Sequence, residues 1–279
     1  NLVSRHPADR AISIDPDSFV LGALAPDSGY LGSKDSFHAD LAHNIATSNL
    51  SIQLLNLAVS KSEFSFALGW ISHAILDRHS HPIINTQSAT VLGQDGCLSY
   101  ADNPSLHTAI ELGVDATWID RVPSLNYRNM SQHIPAVSVL IASAYLNIYG
   151  LSFQPTEFRK SLFRFMIAMR LLHIFYRARR RNLSSTKSAT LSRTRAILSP
   201  FRPESSFQRT LSDGIECAAN DFLDGLDTRF RNYENFNLDT GVSSYCDPMY
   251  SIAVDTLTRL NKMRKRTGLP PLPTSSRTA

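Results

Sequence analysis

A chain of 279 residues can bury a full hydrophobic core, as one large domain or two small ones. At 43% apolar and 19% charged it is neither disordered nor fibrous, and 12 glycines are few for a fold of strands and tight turns, which disfavours an all-β protein. The net charge of +4 hides an asymmetry: residues 1–154 carry 7 basic and 13 acidic side chains and all but one of the 9 histidines, whereas residues 155–279 carry 21 basic and 11 acidic ones. An acidic, histidine-rich half points to cations and a basic half to anionic groups.

The predicted elements are helical throughout. The apolar run FVLGALA leads into a Gly- and Pro-bounded turn, GALAPDSGY, that holds Asp27. Asp40–Ala58 has helical apolar spacing and is expected to be the first long helix, with His38 at its start. Lys61–Ile75 follows as a helix buried on most sides; Pro82 should end it, leaving His81 just beyond. Asn103-Pro104 opens a helix through about Asp120, and two more are expected over Ser131–Tyr149 and Glu157–Arg181. Ile134–Thr156 lacks charge, but its Pro, Ser, Asn, Gly and Gln residues fit a core helix better than a membrane span, so no transmembrane helix is expected. Asp247-Pro248 opens the last helix, to about Arg266. These patterns predict an all-α bundle of roughly seven to nine helices.

The expected organisation is a helical domain over residues 1–176, a basic Ser/Thr-rich linker or loop over 177–209, C-terminal helices over 210–268 packing on the same domain, and a disordered tail over 269–279. The 177–209 stretch holds nine basic residues against one acid, and Arg179, Arg180 and Arg181 are candidates for contact with phosphate or an anionic membrane. Cys97, Cys217 and Cys246 form no CxxC pair, which argues against a thiolate zinc site and leaves room for one disulfide at most. No signal peptide is visible, and a start on Asn1 rather than Met is what a processed or cropped chain would show.

Chemistry concentrates between Asp27 and Asp115. Asp27 sits on a short turn, from which a carboxylate can reach an ion, and His38 follows. His73-x3-Asp77 places two ligand types on one helical face, about 6 Å apart at Cβ. His81 lies four residues on, and His107-x3-Glu111-x3-Asp115 forms a second stripe. Imidazole and carboxylate without thiolate suit hydrolytic zinc. Such groups inside apolar helices are expensive unless something pairs them.

The strings FVLGALAPDSGY, FH, FALGWISHAILDRHSHPIIN and LSYADNPSLHTAIELGVD, in that order over about residues 14–118, resemble the zinc-dependent phospholipase C family, which includes secreted bacterial phospholipases C and the catalytic domain of glycosylphosphatidylinositol-specific phospholipase D. The resemblance implies an all-helical fold with two or three zinc ions in a cleft. Asp27, His38, His73 and Asp77 would hold one ion and His81, His107 and Glu111 a second. Asp77 would bridge toward a third, whose site is open because NLVSRHPADR lacks the N-terminal Trp of the secreted enzymes and offers only His6. Asp27 would be the base for the attacking water, and Asp115 would support His107 rather than ligate. His79 competes with His81, which is preferred because it precedes the Pro-x-x-Asn stretch. The expected activity is phosphodiester hydrolysis, foremost of a phospholipid to diacylglycerol and a phosphorylated headgroup by a zinc-activated water, with a secreted or extracytoplasmic location favoured by the resemblance alone. A nuclease-like phosphodiesterase of the same fold and a non-catalytic zinc-binding or membrane-docking module remain as alternatives. Nucleic acid is the less favoured partner, since Phe175 and Tyr176 beside Arg177–Arg181 are only a faint stacking platform.

Overall fold

The computed structural model of the chain describes residues 13–32, 36–118, 125–179, 201, 203–231 and 233–273. Its helices are α1 (Pro16–Leu24), α2 (Ser28–Gly32), α3 (Phe37–Asn44), α4 (Thr47–Leu57), α5 (Lys61–Val91), α6 (Pro104–Trp118), α7 (Tyr127–Tyr149), α8 (Pro155–Arg179), α9 (Ser205–Thr228) and α10 (Ser251–Arg266). The described residues include ten helices and no strand, with isolated bridges such as Ile45–Cys246 and Phe236–Ser243, so the fold is all-α as expected.

The axis of the bundle is α5. Its start is set by a capping box: the Glu63 amide donates to Ser60 Oγ (3.2 Å) and the Ser60 amide donates back to Glu63 Oε2 (3.0 Å). The short α1 crosses it at contact distance. A Cβ at Gly22 would run into the Phe66 carbonyl and one at Gly69 into that of Phe19, so glycine at both positions lets the two backbones touch. Helices α4, α6, α7 and α9 also pack on α5. The main core gathers Leu21, Leu41, Leu50, Leu54, Phe66, Tyr145 and Tyr149, with Tyr250, Leu257 and Leu260 from the C-terminal part. Each such side chain contributes about 1.5–3 kcal/mol.

Four expectations change in the structure. Asp40–Ala58 is not one helix: α3 ends at Asn44 and α4 restarts at Thr47, with Ala46 in the left-handed region (φ 49°). That conformation costs about 1–2 kcal/mol for a residue with a Cβ. Tertiary bonds offset it: the Ala46 amide donates to the Tyr245 carbonyl (2.9 Å) and the buried Tyr149 hydroxyl donates to the Ile45 carbonyl (2.7 Å). Second, α5 does not stop before Pro82 but runs through it to Val91. Proline deprives the Arg78 carbonyl of its helical donor, and the α9–α10 connection packs at this point. Gly241 (φ 71°) lies where a Cβ would be 3.1 Å from Pro82 Cγ and 3.4 Å from the Arg78 oxygen. Third, the last helix begins at Ser251, because Asp247 turns the preceding chain by accepting from the Met249 amide (2.9 Å). Fourth, residues 269–273 are ordered against α10: the Leu272 amide donates to Asn261 Oδ1 (2.7 Å), Arg264 Nε donates to the Pro270 carbonyl (2.8 Å), and Leu272 packs on the main core.

The cysteines are unpaired with one another, Cys246 buried and the other two exposed. No described helix is long and apolar enough to cross a membrane. Residues 180–200 and 202 of the basic stretch, with Arg180 and Arg181, lie outside the described residues, as does the Arg179 side chain at the end of α8.

Candidate metal centre

Two groups of imidazoles and carboxylates lie along one face of α5. In the first, Asp27 comes from the α1–α2 turn, His43 from α3, and His73 and Asp77 from successive turns of α5. His43 Nε2 stands 3.2 Å from Asp27 Oδ1, 3.2 Å from His73 Nε2 and 3.6 Å from Asp77 Oδ2. His73 Nε2 is 3.0 Å from Asp77 Oδ2 and 3.9 Å from Asp27 Oδ1. In the second, His81 Nε2 and His107 Nε2 lie 3.2 and 3.1 Å from Glu111 Oε1, and His81 Nδ1 faces Asp239 Oδ1 at 3.6 Å. Asp77 Oδ2, 3.8 Å from His81 Nε2, joins the two.

Hydrogen bonds behind the rings show what these contacts require. His43 Nδ1 is 2.8 Å from the Ala39 carbonyl, which can only accept, so Nδ1 carries the proton. Asn85 Nδ2 donates to the Asp239 carbonyl (2.7 Å), which turns Asn85 Oδ1 toward His107 Nδ1 (3.0 Å) and places a proton there as well. In the neutral tautomer, His43 Nε2 and His107 Nε2 therefore aim lone pairs at carboxylate oxygens 3.2 and 3.1 Å away. Acceptor facing acceptor in a buried site repels unless a cation lies between them. The buried atoms His81 Nδ1 and Asp239 Oδ1 also have no hydrogen-bond partner. The donor set thus fits zinc: Asp27, His43 and His73 form one group able to hold an ion, and His81, His107 and Asp239 another.

The electrostatics lead to the same requirement. Burial by itself would lower the pKa of His73, but Asp77 and Asp27 lift it to about 9. Burial acts likewise on His81, which Asp77, Glu111 and Asp239 lift to about 10. Burial would raise Asp77, yet His73 and His81 bring it down to about 2. Against the same desolvation, His107 and His81 hold Glu111 well below the usual carboxylate range. Without metal, protons supply the positive charge that the carboxylates demand, and metal binding would displace them.

His38 is not brought to this cluster. Its ring stands edge-on to Phe158 (centroids 5.3 Å), and its carbonyl accepts from the Tyr145 hydroxyl (2.6 Å). His43 lies five positions further along the helix, about 140° around it, so the two point to different sides of α3, and the side facing α5 carries His43. His79 is turned to α9, where its Nε2 lies 2.8 Å from Asp221 Oδ2 beside Arg78. The support for His107 comes from Asn85 rather than Asp115. Asp115 is exposed one turn beyond Glu111, where desolvation and the Glu111 and Asp27 charges push its carboxyl above the usual range. His6 lies outside the described residues.

Sequence reading missed His43, Asn85 and Asp239. His43 met the criterion that selected His73, a histidine inside an apolar helix. Asn85 belongs to the HPIIN stretch. Asp239 has no spacing signal. Its loop is tied to α3, where the Leu238 amide donates to the His43 carbonyl (2.9 Å) and Asn237 Nδ2 donates to Asn44 Oδ1 (2.9 Å). Tyr30 stacks at a tilt on His43 (5.3 Å) and Tyr100 stands edge-on to His107 (5.5 Å).

A family model described as zinc dependent phospholipase C matches residues 1–149. An uncharacterized protein of Archaeoglobus fulgidus is 33% identical over 66 residues, a match that spans 23% of this chain and only 19% of that relative. No solved structure matches.

Proposed function

The chain belongs to the zinc-dependent phospholipase C family, and on that premise we propose that it hydrolyses a phospholipid to diacylglycerol and a phosphorylated headgroup. The observation that supports this most is the pair of buried groups sharing Asp77, each with an imidazole lone pair turned on a carboxylate. Asp27, His43, His73 and Asp77 would hold one zinc ion. His81, His107 and Glu111, with Asp239 behind His81, would hold another. Zinc bound there would supply positive charge that acidifies water and neutralises phosphoryl oxygens.

The residues divide the remaining work. The side chains of Asp27 and Glu111 are 41% and 34% accessible, against 15% or less for His43, His73, Asp77, His81 and His107, so phosphate enters between them. Asp27 Oδ1 faces His43 and His73, and its Oδ2 is the atom that orients and deprotonates the attacking water. Asp77 holds the two groups in register. No protein nucleophile is required. Tyr176 is buried beside Phe175, so this aromatic pair forms no open base-stacking platform and lends no weight to a nuclease reading.

The test is zinc content, then product identity. The purified chain should hold at least two zinc ions and release diacylglycerol from mixed micelles, losing both properties on chelation. Release of phosphatidic acid, or no turnover at full zinc occupancy, would overturn the proposed reaction.

A further inference from the structure

Helix α8 is amphipathic in an unusual sense: it buries one apolar face and exposes a second. The buried face carries Phe158, Leu162, Phe165, Met166 and Tyr176, which seat it on α2 and α7. The opposite face presents Phe163, Ile167, Leu171 and Ile174, which are 53%, 47%, 62% and 59% exposed. At 100° per residue these four fall within an arc of about 80° and run for about 16 Å along the axis. Large apolar side chains aligned on one solvent-facing stripe mark a binding surface rather than random exposure.

The flanks indicate what binds. Arg159, Arg170 and Arg177 line one edge of the stripe, and Lys160 and Arg164 lie toward the other, with Glu157 as the helix's one acidic residue. An apolar stripe between basic flanks is the pattern of a helix lying in the plane of an anionic lipid interface, apolar residues among acyl chains and arginines at the headgroups. The position agrees with this. Helix α8 packs against α6, the helix that carries His107 and Glu111, which puts it next to the metal-ligand groups.

We propose that the outward face of α8 docks on an anionic lipid surface and thereby presents the neighbouring cleft to the bilayer. Binding is measured without turnover, so its failure is distinguishable from failure of the hydrolytic reading. The zinc-loaded full chain is co-sedimented with phosphatidylcholine vesicles, with and without about 30 mol% phosphatidylglycerol. The wild type should bind the anionic vesicles, and the triple variant F163S/I167S/L171S at least about tenfold more weakly. A control, V59S/M249S, removes exposed apolar groups elsewhere and should bind as wild type. Arg170→Ser with Arg177→Ser should remove the preference for anionic over neutral vesicles. A second measurement does not depend on how stable the triple variant is: Leu171→Trp keeps the stripe apolar, and its emission should be quenched by lipids brominated on the acyl chain beyond the background of Trp70 and Trp118. Unaltered vesicle binding by the triple variant, or absence of quenching at Trp-substituted position 171, overturns the proposal. A wild-type dimer in solution that the triple variant converts to monomer, without vesicle binding, assigns the face to a second copy and overturns it equally.

Discussion

The two ligand groups differ in where the chain draws them from. Asp27, His43, His73 and Asp77 come from one turn and two nearby helices, all inside the stretch that matches the family. The second group takes His81, His107 and Glu111 from the same stretch but draws Asp239 from the α9–α10 connection, beyond it. One group is therefore built by neighbouring helices, while the other is complete only when the C-terminal part folds back over Pro82 and α3. The α9–α10 connection thus closes the site, while α10 adds to the core.

Asp77→Asn should have the largest effect, because this carboxylate faces both groups. Activity should fall about 10³-fold or more, and elemental analysis should find less metal in both. Retention of two ions per chain would show that the groups are independent.

His43→Ala against His38→Ala comes next. The first should lower zinc affinity by at least about 100-fold. The second should leave zinc content intact and cost about 1–3 kcal/mol of stability, from the lost packing on Phe158. The reverse result would return the ligand role to His38.

A smaller, one-sided effect is expected for Asp239→Asn: a loss of about 10–100-fold in affinity for one ion while the other stays bound. Competition with a graded chelator separates the two affinities, and equal loss of both would show that Asp239 does not belong to one group alone.

The mildest perturbation is pH applied to the chelated protein. His73 and His81 are raised from 6.5 to about 9 and about 10, so their stabilising protonation is fully present below 6.5 and is lost as pH rises through 9 and 10. Asp77 is lowered from 3.8 to about 2 and Glu111 is lowered too, so their contribution is present above the ordinary carboxylate range and lost on acidification. The melting temperature without zinc should be highest at mildly acidic pH and fall on both sides. Added zinc should restore the alkaline side, since deprotonated imidazoles are the form that binds it. A flat alkaline profile after chelation would show that the two histidines are not held by these carboxylates.

Periodicity and composition carried the helical class, the helices around His73 and His107, and the pairing of imidazole with carboxylate at i,i+4, because these are local properties of a chain with 3.6 residues per turn. Pro82 misled for a related reason. Its local preference is against helix, but α5 is packed on several sides there, and the α9–α10 loop settles against the carbonyl that Pro82 leaves without a helical donor. His43 carried the same local signal as His73, but nothing local ranked it above His38. Both belong to one helix, and the break at Ile45–Ala46, held by Tyr149 and Tyr245, sets which side of α3 meets α5.

What the sequence determined by itself was a helical protein of the zinc-dependent phospholipase C family with zinc-type ligands in its first half. The tertiary structure alone decided that Asp77 stands between two groups, that His43 completes the first, and that Asp239 reaches the second. Those contacts join residues far apart in the chain. Spacing along the chain reports which side chains share a helical face; which faces meet is decided when helices pack and buried polar atoms find partners.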